Sequence, residues 1–337
     1  MKAVVLVGGE GTRLRPLTET IPKPLIPLVD RPFLHVVLDH VASHGVHEVI
    51  LSSSYLEDAF ASFIDERHGD PEITWITEAS PLGTAGAVAN AARRLDDTFL
   101  VLNGDILTDL DLTALVAFHR DRRAAGTIAL TPVDDARPYG LVAAEADGRV
   151  LEFREKPTEP RPGWINAGTY VLEPSVLAAI PPGRAVSIER ETFPSLIGAG
   201  ERLYAFESSA YWMDVGTPAK YLRATFDALD GKVRGLDRAA PSVEPSARVS
   251  LRSHLGRWVV LCGEVEVRDD AVIEDSVVLT GATVGRGATV RDSIVGPGAI
   301  IEDGAVVDGA VLAEGARVPA GSVSRDGGAG AGRRRHT

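Results

Sequence analysis

Residues 3–18 read AVVLVGGEGTRLRPLT: an unbroken apolar run, Ala3 to Val7, and then a glycine-rich turn, GGEGTRLRPLT, from 8 to 18. A run this short, β-branched and free of polar residues reads as a strand buried on both faces, at the centre of a parallel sheet. The turn then lies at the strand's carboxyl end, where open α/β sheets bind ligands. Gly8, Gly9 and Gly11 carry no side chain and allow positive φ, so successive N–H groups can line a concave surface against an anion. Thr12 adds a hydroxyl donor, and the planar fork of Arg13 suits phosphate oxygens. The same glycines would equally serve a tight strand exit with no ligand. Two better-known phosphate loops are excluded, because a GxxxxGK[ST] loop needs a Lys that is missing and Leu14 stands where GxGxxG needs its third glycine.

The chain runs to 337 residues, long enough for two domains with full cores. Its 45% hydrophobic and 24% charged residues are those of a soluble globular protein. A net charge of −12 opposes general nucleic-acid binding, since a phosphate backbone would be repelled. Any bound polyphosphate must be met by a local cluster of cations, helped by a metal ion. Cys262 is the only cysteine, which excludes an internal disulfide and a cysteine-rich metal site. The amino terminus enters a strand without a charged leader, and no apolar stretch approaches the ~20 residues that span a bilayer. The expectation is a cytoplasmic enzyme with no membrane partner. Lysine occurs only at Lys2, Lys23, Lys156, Lys220 and Lys232 in a chain rich in Arg. Two of these sit in Lys-Pro dipeptides, PKP at 22–24 and EKP at 155–157, which points to an ammonium being needed at Lys23 and Lys156.

Working outward from the turn, Pro22, Pro24 and Pro27 forbid helix and hold Lys23 on a stiff extended segment, or form a plain rigid connector. Helical spacing over 33–44 and a strand at 48–52 complete a βαβ unit. His35, His40, His44 and His47 fall on several faces of this helix and its exit, which suits solvated or capping roles rather than a metal site. A helix over 56–63 and a strand at 73–77 lead into TEASPLGTAGA at 77–87, where Pro81 and Gly83 shape a turn and small residues from Ala85 start a helix. The strand 98–102 ends in NGD, and an Asp at the end of a central strand suits a hard cation such as Mg²⁺; a helix N-cap is the alternative for Asp105. A helix over 112–125 and strands at 127–132, 141–144 and 150–155 follow, and INAGTYVL at 165–172 reads as an antiparallel addition to the sheet. SIERETFP at 187–194 opens a helix with Ser187 as N-cap and Glu in the first turn. From Pro241 aliphatic residues recur every five or six positions, among them Val267, Ile273, Leu279, Val284, Val290 and on to Val323, the period of a parallel β-helix. Residues 243–262 are less regular and read as a cap, and the tail from 327 has no apolar content and reads as disordered.

The turn at 8–18 closely resembles the signature loop of the sugar-nucleotide pyrophosphorylases, and the likeness continues in family order through PKP, TEASPLGTAGA, NGD, FREKP, INAGTYVL and YWMDVGTPAKY at 211–221. The resemblance implies an α/β fold: a Rossmann-like mixed-sheet nucleotidyltransferase domain over 1–232, a left-handed parallel β-helix of hexapeptide repeats over 241–325, and a disordered tail over 326–337. The reaction it implies is nucleoside triphosphate plus sugar 1-phosphate giving nucleotide sugar and pyrophosphate, with Mg²⁺ as cofactor. It assigns Gly8, Gly9, Gly11, Thr12 and Arg13 to the triphosphate, Lys23 to a place over the phosphates, and Glu78 and Gly83 to the base. Tyr139, Gly140, Glu155 and Asn166 fall to the sugar, Lys156 to its phosphate, and Asp105 and Asp214 to the metal.

At the position of Glu78, thymidylyl members carry Gln. A carboxylate only accepts hydrogen bonds, and guanine offers two adjacent donors, N1–H and the N2 amino group, so Glu78 favours GTP. SIERETFP resembles the mannose-1-phosphate guanylyltransferase branch. The rivals are another sugar or cyclitol 1-phosphate, UTP or dTTP with glucose 1-phosphate, a non-catalytic regulatory homologue, and acyl transfer by the β-helix. Retention of Arg13, Lys23, Asp105, Lys156 and Asp214 together opposes the regulator. His254, the only histidine of the repeat zone, lies in its irregular part, which opposes acyl transfer. The end and flat faces of a β-helix invite assembly into a homo-oligomer.

Overall fold

The computed structural model describes residues 1–53, 57–67, 69–78, 80–236 and 238–325. Leu56, where the second helix was placed to begin, and the tail 326–337 lie outside them. The chain divides into two compact units, Met1–Gly9 with Val37–Trp212, and Glu10–Val36 with Met213 onward.

The first unit is built on a mixed sheet. Strands β1 (Lys2–Leu6), β2 (Glu48–Ser53), β3 (Glu72–Thr77) and β4 (Phe99–Asn103) are parallel and ordered β4-β1-β2-β3. Ala3, Val4 and Val5 are fully buried, as an all-apolar run between two neighbours requires. The remaining strands are β5 (Gly126–Val133), β6 (Gly140–Ala144), β7 (Val150–Glu155), β8 (Gly163–Leu172) and β9 (Leu203–Glu207). β8 runs antiparallel to β4, giving the path β7-β6-β8-β4-β1-β2-β3, while β5 also pairs with β8 and β9 with β5. The register of β8 against β5 breaks between Asn166↔Leu130 and Tyr170↔Ile128, so β8 carries a bulge where its sequence reads NAGT.

The helices are α1 (Phe33–Ser43), α2 (Glu57–Glu66), α3 (Gly83–Asn90), α4 (Leu112–Asp121), α5 (Phe193–Gly198) and α6 (Pro218–Leu229). α4 starts on Asp111, whose carboxylate accepts the Ala114 N–H, and stops at Asp121 rather than near residue 125 because Arg123 turns left-handed (φ 47) ahead of β5. Ser187 caps the SIERETFP segment, but its first turn, Ile188–Thr192, is a π-turn that runs into α5. Lys23–Leu25 is a short 3₁₀ turn, closed by Leu25 N–H to Pro22 O at 2.8 Å, and not an extended segment. A proline early in such a turn is tolerated because no donor is needed there.

In the second unit the repeat region forms three five-stranded parallel sheets, the left-handed β-helix. Three in-register stacks, Leu261–Val278–Val295–Leu312, Val267–Val284–Ile301–Val318 and Ile273–Val290–Val307, fill its interior. Each fully buried aliphatic side chain contributes about 2 kcal/mol of transfer free energy. Three expectations are corrected. The stacking residue is Val278 rather than its neighbour Leu279, Val323 is 58% exposed on the last coil, and 243–262 is no irregular cap. Ser242–Val243, Arg248–Val249 and His254–Leu255 pair in register with the next coil, and Val243, Val249 and Leu255 carry the six-residue spacing that continues through Leu261, Val267 and Ile273. α6 anchors this first coil: Trp258 stacks on Phe226 with centroids 5.9 Å apart and donates its indole N–H to Asp230 at 2.8 Å. Among the described residues no helix is long and apolar enough to cross a membrane.

Candidate active site

In the first unit, the ends of β1, β2 and β4 are tied together by Val7 N–H to Ser52 O (3.4 Å) and Gly104 N–H to Leu6 O (2.9 Å). A Cβ on Gly8 would lie 3.5 Å from Ser53 Cα and 3.8 Å from Glu78 Oε1, so the loop backbone passes close to that carboxylate. Glu78 is 7% exposed; Oε1 accepts from the Ser52 hydroxyl and Oε2 from the Leu82 N–H, each at 2.9 Å. A solvated surface Glu is thereby ruled out, and both oxygens keep lone pairs for a ligand. Gly83 is left-handed (φ 70), and a Cβ there would sit 2.6 Å from Val186 O. Its glycine is demanded by backbone packing, since Ala85 N–H bonds Val186 O and Val186 N–H bonds Leu82 O. Gly8 and Gly9 do not take the positive φ the sequence reading allowed them, and the Gly9 N–H turns back onto Val7 O at 3.2 Å, which closes the strand exit.

Farther along the same sheet, Gly140 and Glu155 face each other across β6 and β7. A Cβ on Gly140 would overlap the Phe153 ring at 2.6 Å and lie 3.0 Å from Glu155 Oε2. Lys156 is left-handed (φ 49) although it precedes a proline, a conformation that costs ~1–2 kcal/mol. Its N–H bonds Tyr139 O at 2.9 Å, and its ammonium lies 4.0 Å from Glu155 Oε1. The Tyr139 ring meets Trp212 edge-on at 5.2 Å, and the Trp212 indole donates to Ala167 O in the β8 bulge. In that bulge Asn166 Nδ2 donates to the Tyr170 hydroxyl at 2.7 Å, and Oδ1 accepts the Gly168 N–H at 2.9 Å. Tyr170 in turn donates to Glu189 Oε1 at 3.4 Å. Burial pushes the Glu155 carboxyl above the ordinary range and the Glu189 charge adds to this, while Lys156 and Arg190 pull the other way.

The second unit holds the rest of the turn. Gly11 alone among the loop glycines is left-handed (φ 59), and a Cβ there would lie 2.8 Å from Thr18 Cγ2 and 3.2 Å from Lys23 Cβ. It starts the 3₁₀ turn Thr12–Leu14, which buries Leu14 and leaves Thr12 and Arg13 exposed. The same unit brings Arg13 and Asp214 to Gly216, where a Cβ would be 2.8 Å from Arg13 Nη2 and 3.0 Å from Asp214 Oδ1. Asp214 Oδ2 accepts from Lys220 Nζ at 3.1 Å. Asp105 is half-buried in the turn leaving β4, in the first unit. Among the described residues no group of three or more His, Cys, Asp or Glu side chains could hold a metal ion.

Comparison with known proteins shows the family. The family model described as "Nucleotidyl transferase" matches residues 2–231, and one described as "GMPPB C-terminal domain" matches 239–325. The chain belongs to the nucleotidyl transferase family. A Mycobacterium tuberculosis protein named mannose-1-phosphate guanylyltransferase is 43% identical over 292 residues, covering 86% of this nucleotidyl transferase and 76% of the relative. Mannose-1-phosphate guanylyltransferase 1 of Arabidopsis thaliana is 36% identical over 301 residues, 86% and 83% of the two chains. Among solved structures, HddC from Yersinia pseudotuberculosis complexed with GMP-PN is 32% identical with a TM-score of 0.59, covering 67% of this chain and 98% of that one. Nucleotidyl transferases of this family generally use a divalent metal.

Several side chains of the site escaped sequence reasoning. Ser52 and Glu189 anchor nucleotidyl transferase segments that motif spelling alone presents as strand and helix residues. Asn103 was passed over for Asp105 within NGD, yet a Cβ on left-handed Gly168 (φ 72) would lie 2.6 Å from its Nδ2. Lys220 was visible as one of the rare lysines, but its pairing with Asp214 follows only from the helical turn after Thr217.

Proposed function

We propose that this nucleotidyl transferase converts GTP and mannose 1-phosphate to GDP-mannose and pyrophosphate. The similarity to enzymes of that name, running through 86% of the chain and both family models, carries the reading. The chain is a sugar-1-phosphate nucleotidyltransferase whose substrates are a nucleoside triphosphate and a sugar phosphate. The catalytic domain spans 1–232 and the β-helix 241–325, and the enzyme works in the cytoplasm as a homo-oligomer.

The nucleophile is an oxygen of the sugar phosphate, largely ionised at pH 7 because its second pKa is near ~6, so no general base is required. It attacks the α-phosphorus in line; the new P–O bond forms as the bond to the β-phosphate oxygen breaks, and pyrophosphate leaves. The obstacle is bringing two polyanions together in a chain of net charge −12. Arg13, Thr12 and the backbone of Gly8, Gly9 and Gly11 hold the triphosphate, while Lys23 and Lys156 neutralise the nucleophile's side. Glu78, buried and oriented by Ser52 and Leu82, accepts guanine N1–H and N2–H, and Gly83 lets α3 approach the base. Tyr139, Gly140, Glu155 and Asn166 hold the sugar. Asp105 and Asp214 would hold Mg²⁺, because carboxylate oxygens are the hard donors that ion takes together with water and phosphate oxygens. When bound, the ion supplies positive charge to the phosphates.

The test is pyrophosphate release with Mg²⁺ across four nucleoside triphosphates and a panel of sugar 1-phosphates. GTP with mannose 1-phosphate should give the highest kcat/KM. A different best pair, or no release with any, would refute the assignment.

A further inference from the structure

Glu189 collects three hydroxyl donors on one carboxylate. Oε2 accepts from Thr84 at 2.8 Å and from Ser187 at 2.7 Å, and Oε1 from Tyr170 at 3.4 Å. The Tyr170 oxygen already accepts from Asn166 Nδ2, so the phenolic proton points at Glu189. Donors therefore run from Asn166 through Tyr170 to a group that, ionised, can only accept. The Asn166 carbonyl oxygen takes the Gly168 N–H, which fixes the amide in one orientation. The other arm reaches α3: Thr84 accepts the Ile188 N–H at 2.8 Å, Val186 N–H bonds Leu82 O, and Leu82 N–H bonds Glu78. Glu189 thus stands midway in a bonded belt between the carboxylate at the base segment and the amide at the sugar segment.

We infer that Glu189 is a positioning residue for the sugar phosphate: through Tyr170 it sets how Asn166 presents its amide to sugar hydroxyls, and through Thr84 it braces that face against the start of α3. The inference rests on the proposed placement of the sugar at Glu155 and Asn166. A second consequence concerns Glu155, which is faced by Glu189, Lys156 and Arg190. Burial and then the Glu189 charge hold its carboxyl above the ordinary range, so deleting that charge lets Glu155 ionise at lower pH. The hydroxyl of Tyr170 is pushed up by burial and by Glu189, and remains a donor throughout.

Glu189→Gln keeps the size and replaces one acceptor with an NH₂ group. The KM for mannose 1-phosphate should rise about tenfold while that for GTP stays within about threefold. The acid limb of kcat/KM for the sugar phosphate should move to lower pH, a change that a loss of scaffold alone would not produce. Tyr170→Phe cuts the Asn166 arm but leaves the charge, so it should raise the same KM with the acid limb in place, and the double variant should be no worse than the weaker single one. An unchanged sugar-phosphate KM in either variant, equal rises for both substrates, or additive effects in the double variant would overturn the inference. If Glu189→Gln does not fold, Tyr170→Phe decides alone. Calorimetric titration with mannose 1-phosphate makes the same comparison without turnover. A wild type that binds the sugar phosphate but releases no pyrophosphate refutes the proposed reaction and still leaves the variants to decide the role of Glu189.

Discussion

The carboxylate of Glu78 is held from two sides, by the Ser52 hydroxyl and the Leu82 N–H, before any ligand arrives. Glu78→Gln leaves the shape but turns an NH₂ group toward one of those donors or toward the base. The preference for GTP over UTP or dTTP should fall by about tenfold, the worth of one charge-assisted hydrogen bond. The ratio of kcat/KM values measures this, because general loosening would lower all substrates alike; an unchanged ratio would remove Glu78 from base recognition. The sequence allowed this reading because the family resemblance puts Glu78 at the base, and the acceptor chemistry of a carboxylate, local to one residue, then selects guanine. Glu189 was not legible in the same way: its partners Thr84 and Tyr170 lie 105 and 19 positions away, and only the folded chain brings three hydroxyls to it. Gly168 is a similar case, since the side chain its missing Cβ makes room for, Asn103, belongs to another strand.

Among the elements, β1, β2 and β4 were readable because strands buried on both faces carry an unbroken apolar run, whatever they pair with, whereas β3 at the sheet edge is only partly buried. The bulge in β8 was not readable, since extra residues show only against a partner's register. His40 on α1 departs from the solvated or capping role expected of its histidines. His44 Nδ1 lies 2.9 Å from the Thr113 hydroxyl, and His40 packs edge-on against His44 at 5.0 Å with its Nε2 buried and without a hydrogen-bond partner. Burial, and then His44, lower the His40 pKa to about 4, against the opposing pull of Asp109, the Leu110 backbone and Asp111. A folded-state pKa below the unfolded value means the unfolded chain binds the proton first. The stabilisation is therefore complete above pH 6.5 and lost as pH falls toward about 4, by up to about 3 kcal/mol. Chemical denaturation of wild type and His40→Gln between those limits should show the wild type losing stability more steeply with acid; parallel curves would place the proton elsewhere.

For the molecule as a whole, the repeat region announced itself because a β-helix interior is one-dimensional: each coil needs an aliphatic residue at the same three places, and the sequence must repeat with the structure. Its first coil keeps that spelling, with Val243, Val249 and Leu255 at the three places, but it ends the stack, so these side chains are only partly covered and the coil takes part of its support from α6. That helix is shared property. Its first turn carries Lys220, bonded to Asp214, and its last turn carries Phe226, stacked on Trp258, with Asp230 just beyond receiving the indole N–H. Asp227, almost fully buried, is neutralised by Arg223 and Lys232 on the same stretch. The first coil of the β-helix therefore packs on the end of α6 away from Lys220. Trp258→Ala removes a half-buried indole and one hydrogen bond to a carboxylate, which should cost about 2–3 kcal/mol. Thermal unfolding should move down accordingly, while pyrophosphate release at 25 °C stays within about threefold of wild type, because Asp214 and Lys220 sit at the opposite end of the helix. A loss of turnover at a temperature where the variant is fully folded would show that the β-helix sets the geometry of the site itself.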